Sequence, residues 1–176
     1  MKSLHRGILD LLGAALNGDA ASLPSDFDWK AACEICRAHQ ILPILYYGAL
    51  GSEAAIPEDV RSFLERVTFQ SIYIDKNQLY ALSELEKLFE ENNIEYLPLK
   101  GTLLKHLYPK TEMRSMGDAD VLIRLEQYEA IKPLLLGLGY EEILESDHEL
   151  VWNKKGACLR GLGLREKCLR SARATT

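Results

Sequence analysis

The groups in this chain whose types and spacing could do chemistry are two aspartates two residues apart, Asp118 and Asp120, and a lysine-glycine pair, Lys100-Gly101. From Asp118 to Arg124 apolar and other residues alternate with a period of two. That places Ala119, Val121 and Ile123 on a core-facing side of a strand and Asp118 and Asp120 together on the other. Two carboxylates on one strand face repel unless a cation sits between them, and Mg²⁺ is the usual answer. Upstream, Ile94 to Leu99 reads as a strand ending in Lys100-Gly101, after which Leu103, Leu104, Leu107 and Tyr108 have the spacing of one helical face. A strand that passes through glycine into a helix offers free backbone N–H groups and the positive end of a helix dipole, a seat for phosphate.

Each feature has a plainer reading. Lys100-Gly101 also serves an ordinary strand-to-helix turn, where glycine answers backbone geometry. Asp118 and Asp120 could face solvent, although aspartate is disfavoured in strands and two on one face cost more. The order strand, Lys-Gly, helix, Arg114, Asp-x-Asp is more specific than any of its parts.

On these residues, Leu99-Lys100-Gly101, Leu107-Tyr108-Pro109 and Arg114-Ser-Met-Gly-Asp118-Ala-Asp120-Val-Leu-Ile123, the chain resembles the uncharacterised nucleotidyltransferase family. That family lies within the DNA polymerase β-like nucleotidyltransferase superfamily. The resemblance covers roughly residues 82–156 and, more loosely, the helical part before them. It implies an Asp-x-Asp strand that binds divalent metal, here Asp118 and Asp120, with Mg²⁺ or Mn²⁺ bridging the phosphates of a nucleoside triphosphate. Lys100-Gly101 and Thr102 stand where the superfamily has its glycine pair, so Gly101 and Thr102 would hold phosphate through backbone N–H groups. Lys100 or Arg114 would then supply compensating positive charge. For Arg114 a structural ion pair with Asp118 is an equal alternative.

The elements that must position these groups follow from the rest of the chain. At 176 residues, 47% apolar and 27% charged, it has enough apolar content for a packed core and suits one domain, or a small domain with a helical extension. Leu4, Ile8, Leu11, Leu12 and Leu16 give Met1 to Asn17 a helical stripe rather than the continuous apolar run of a leader. No apolar stretch is long enough to cross a membrane, and the cytoplasm is the expected compartment. A helix is expected over Asp28 to Ala38, a second over Ile44 to Leu50 after Pro43, and a long one from Pro57 to Glu91. The last would carry Phe63, Val67, Ile72, Leu79, Leu82, Leu85 and Leu88 as its stripe, with a bend near Gln70-Ser71 left open. A helix over Glu126 to Leu136, a strand over Tyr140 to Glu145 and a hairpin of His148 to Asn153 with Ala157 to Leu159 complete the reading. The fold class is α+β: an N-terminal helical bundle, then a small mixed β-sheet flanked by helices. The domains are read as a helical region over 1–92, a nucleotidyltransferase-like α/β core over 93–160, and a poorly ordered basic tail over 161–176.

Cys33 and Cys36 have zinc-ligand spacing and His39 follows, but they fall along one helical face. Cys158 and Cys168 are ten apart and make no second pair, so buried free thiols are expected. A net charge of −5 gives no general attraction to nucleic acid, and the acceptor could equally be a small molecule, a protein or RNA.

The chain departs from the family where an acid, then His and Trp, should follow the Lys-Lys-Gly turn. It reads Ala157-Cys-Leu-Arg160-Gly-Leu-Gly-Leu-Arg165-Glu166 instead. Glu149 or Asp147 could stand in as a third carboxylate, though both also suit a hairpin. A truncated or frame-altered C-terminus would explain the change. That hypothesis is tested in the other reading frames of the encoding DNA, where the lack of an acid-His-Trp continuation counts against it. Two functions follow: Mg²⁺-dependent transfer of a nucleoside monophosphate to a hydroxyl acceptor, or a non-catalytic nucleotide- or partner-binding protein of the same fold.

Overall fold

The computed structural model describes residues 2–52, 54–145, 149–154 and 162–165. The backbone divides into two compact units that interleave in sequence. One comprises Met1–Tyr73 with Lys105–Ser115, the other Ile74–Leu104 with Met116–Thr176.

The first unit is helical. α1 (Lys2–Asn17), α2 (Trp29–Ala38) and α3 (Leu42–Leu50) pack with the start of α4 (Glu58–Glu91). Ile8, Leu11, Trp29, Ala32, Cys36, Leu45 and Leu64 lie in their shared core. α2 starts where Asp28 accepts a hydrogen bond from the Ala31 N–H at 3.0 Å, and α3 tolerates Pro43 because it sits in the first turn, where no intrahelical N–H is needed. α1 and α3 meet so closely that a Cβ on Gly48 would fall 2.1 Å from the Leu11 carbonyl oxygen. Residues Thr111–Met113 form a 3₁₀ turn held to α3, with the Tyr47 hydroxyl donating to Glu112 at 2.6 Å. Burial and this carboxylate raise the pKa of Tyr47. Cys33 and Cys36 are free and buried as expected, and desolvation pushes the Cys36 thiol up to about 11. Cys158 and Cys168 lie outside the described residues.

α4 runs unbroken for 34 residues. Its buried seam shares only Leu82 and Leu85 with the apolar stripe expected from sequence. Leu64, Thr68, Asp75, Gln78, Leu82, Leu85 and Phe89 are buried, with half-buried Ser71 completing steps of four and three, whereas Phe63, Val67, Ile72, Leu79 and Leu88 are only half-buried. Polar residues occupy the middle of the seam, so hydrophobicity alone pointed one position away.

The second unit carries β1 (Tyr96–Pro98), β2 (Ala119–Ile123), β3 (Glu141–Glu145), β4 (Glu149–Asn153) and β5 (Leu162–Arg165) in one mixed sheet of order β1-β2-β5-β4-β3. β2 is antiparallel to β1 and parallel to β5, and β4 is antiparallel to both neighbours. The strand that returns beside β4 is therefore 162–165, a stretch that the sequence reading assigned to a basic tail. The expected hairpin turn and the expected return strand at Ala157 to Leu159 lie outside the described residues. β5 is Leu-Gly-Leu-Arg, apolar and uncharged until its last residue, which suits the middle of a sheet better than the overall basic composition of that end implies.

Ala119, Val121 and Ile123 pack with Leu82, Leu85 and Phe89 of α4, Trp152 of β4, and Ile131 and Leu135 of α6 (Tyr128–Gly137). α6 is tied to β3 through Glu142. Its carboxylate accepts from the Tyr128 hydroxyl and pairs with the Lys132 Nζ at 2.7 Å, and these partners hold its pKa below the ordinary 4.5 despite partial burial. A lowered folded-state value means the tie contributes fully above pH 4.5 and is lost as pH falls through the folded value. Glu142→Gln is therefore expected to flatten the acid limb of the stability curve below pH 4.5, with little change at pH 7 beyond that of one partly exposed ion pair, measured by urea melts across pH.

Candidate functional site

Lys100 and Asp120 are brought together in the second unit by the pairing of β1 with β2. Pro98 stands opposite Val121, and the ladder continues one residue further as the Leu99 N–H donates to the Asp120 carbonyl at 2.9 Å. The chain then turns through Lys100, whose φ of +46° lies in the left-handed region, and enters α5 (Gly101–Leu104). This turn brings the Lys100 Nζ to 2.7 Å from Asp120 Oδ2. The carboxylate side chain is 7% exposed and the lysine side chain 58%, so the pair opens to solvent on the lysine side.

The left-handed residue is thus the lysine and not the glycine. Gly101 answers a different need, because a Cβ there would meet the Met116 side chain at 3.3 Å. Thr102 is buried and turns its hydroxyl toward the Met116 sulfur at 3.8 Å, and its N–H donates to the Leu99 carbonyl at 3.3 Å. With its N–H and hydroxyl both engaged inside the protein, Thr102 is not placed to hold phosphate as expected, and of the two residues expected to do so only Gly101 remains. The helix expected after Gly101 is a four-residue turn followed by a 3₁₀ turn over Lys105–Leu107, and Leu103, Leu104 and Leu107 are exposed rather than aligned on a core. A helix this short carries little dipole, which withdraws the dipole from the phosphate argument.

Asp118 is exposed at a bend just before β2, so only Asp120 of the two acids lies on the strand itself. The loop that delivers Asp118 is anchored from α4, where buried Gln78 donates from Nε2 to the Met116 carbonyl at 2.6 Å. Sequence reading passed over Gln78 and the neighbouring buried Asp75. The available signal was their place on the α4 seam, at the steps that continue from Leu82, Leu85 and Phe89. Gln78→Leu leaves a part-buried carbonyl without this donor and is expected to cost about 1 kcal/mol. It should also loosen the loop before Asp118, read as faster amide exchange at Met116 and Gly117.

Arg114 belongs to the other unit. It ends the Thr111–Met113 turn, is half-buried, and its Nε is a buried donor without a hydrogen-bond partner among the described residues. Of the acids considered for a third carboxylate, Asp147 lies outside the described residues and Glu149 begins β4. The strand beside β2 carries no acid, and the position in register with Asp120 is Gly163.

Among the described residues no group of three or more His, Cys, Asp or Glu side chains is placed to hold one metal ion. The two aspartates nonetheless suit Mg²⁺, which is commonly held by one or two carboxylates together with substrate phosphates and water. The ammonium already seated on Asp120 shows that its carboxylate accepts a cation approaching from the open side.

A family model for uncharacterised nucleotidyltransferases matches residues 25–174. The chain belongs to the uncharacterised nucleotidyltransferase family. No curated protein and no solved structure matches it. No helix among the described residues is long and apolar enough to cross a membrane.

Proposed function

We propose that the protein transfers a nucleoside monophosphate from a nucleoside triphosphate to a hydroxyl acceptor, with Mg²⁺ or Mn²⁺ held by Asp118 and Asp120. The observation that carries this reading is the buried Asp120 carboxylate, which faces a cation at 2.7 Å across the β1–β2 pair with the exposed acid of Asp118 two residues away. When bound, the metal would supply charge neutralisation on the phosphates and a lowered pKa for the attacking hydroxyl. The chain's own residues do the rest. Asp120 offers a carboxylate fixed by its strand, Asp118 an exposed one from the bend just before it, and Lys100 a half-solvated positive charge for the triphosphate.

Pyrophosphate release from labelled nucleoside triphosphates with Mg²⁺ or Mn²⁺ tests the reading, and the double change Asp118→Ala with Asp120→Ala should abolish it. One observation favours a second reading: Gly163 stands where an acid on β5 would flank Asp120. A protein that binds metal and triphosphate without turnover fits that arrangement. Saturable binding with no pyrophosphate released decides for it.

A further inference from the structure

Lysine is a costly choice at a left-handed backbone position, which glycine or asparagine takes with less strain. Lys100 adopts φ +46° there and spends its side chain on Asp120, although 58% of that side chain remains in water. With its lysine end screened by water, the pair adds less to folding than a fully buried one would. The geometry is better explained by the cation itself. A tethered ammonium at 2.7 Å from a carboxylate oxygen occupies the space that a divalent ion would need on the same oxygen.

We propose that Lys100 is a built-in counter-ion, which holds the metal position on Asp120 and yields it to metal that arrives with a triphosphate. This rests on the transferase reading and adds an order to it. A bare divalent ion must evict the ammonium, which then has no anion to go to. A metal–triphosphate brings its own anion, and the released ammonium moves a short way to the phosphate oxygens. Lysine suits the task better than arginine, since its compact charge sits on a flexible stem with freely rotating donors. Lys100 therefore couples metal binding to triphosphate binding and keeps Asp120 neutralised while the site waits.

Mn²⁺ binding to the full chain, followed by electron paramagnetic resonance with and without inorganic tripolyphosphate, tests the proposal without reference to turnover or base. Lys100→Met removes the charge and keeps the stem. It is expected to bind free Mn²⁺ roughly fivefold more tightly than the wild type, the size of a partly exposed ion pair. The same variant should lose most of the gain in Mn²⁺ affinity that tripolyphosphate gives the wild type. Lys100→Gly, which also removes the left-handed strain, should behave alike and covers the case in which the methionine variant folds poorly. Lys100→Arg should stay close to the wild type in free Mn²⁺ binding. If the wild type binds Mn²⁺ with tripolyphosphate at a site lost in Asp120→Asn, but neither Lys100 variant binds free Mn²⁺ more tightly, the counter-ion role is overturned and the transferase reading stands. If none of the proteins binds Mn²⁺ under either condition, both are overturned.

Discussion

Asp120→Asn is expected to lower pyrophosphate release roughly 10³-fold while leaving the fold in place. The change is nearly isosteric and removes one formal charge from a side chain that is 7% exposed. A divalent ion loses an anionic ligand in a place where water replaces it poorly, and the attacking and leaving oxygens lose their shared neutralisation. Lys100, more than half in water, rehydrates when the charge is removed, and the thermal melts separate any loss of stability from the loss of rate. Asp118→Asn should cost less, roughly 10–100-fold, since that acid is exposed at a bend and solvent screens its charge. The comparison is made from single-turnover rates at saturating Mg²⁺, with thermal melts alongside. An Asp120→Asn protein that turns over at the wild-type rate removes the metal-bearing role from this strand.

The second large effect is on folding. Trp152→Ala is expected to destabilise the second unit by about 3–5 kcal/mol, the usual cost of emptying a fully buried aromatic site. Trp152 is 0% exposed and shares its cluster with Phe89, Ile131, Leu135 and the inner face of β2. A loss of that size approaches the entire stability of a small domain, so the strand that carries Asp120 should lose its order and any metal binding with it. Trp152→Phe should cost much less. The indole Nε1 is buried with no hydrogen-bond partner among the described residues, so removing it gives up no bond and relieves a desolvated donor. Both variants keep only Trp29, which lies in the core of the first unit, so its fluorescence follows that unit while amide exchange in β2 follows the second. Urea melts that show equal losses for the alanine and phenylalanine variants would contradict this account of the site.

Much of the α+β pattern was legible because it depends on short-range rules. The Asp28 cap, the proline at the start of α3, the acids opening α4 and the alternation through Ala119, Val121 and Ile123 are each local, and each element formed near its expected bounds. The α4 seam was read only at Leu82 and Leu85, because its middle is polar. Thr68, Asp75 and Gln78 are buried there, Gln78 with a hydrogen bond to the Met116 carbonyl, and a count of apolar residues does not register such positions. The helix after Gly101 was overread: four leucine and tyrosine positions had helical spacing, yet Leu103, Leu104 and Leu107 face outward.

For the candidate site, the sequence by itself determined which groups were available: a lysine-glycine turn after a strand and two acids at the head of the next. Residue type and spacing along the chain suffice for that. Only the tertiary structure decided how they are used. Antiparallel pairing of β1 with β2 brings Lys100 across to Asp120, parallel pairing with β5 sets Gly163 beside it, and Gln78 reaches from α4 to fix the loop before Asp118. These are contacts between residues far apart in sequence. They are set by which strands share hydrogen bonds and which side chains fill the remaining volume, and neither is written in the local pattern.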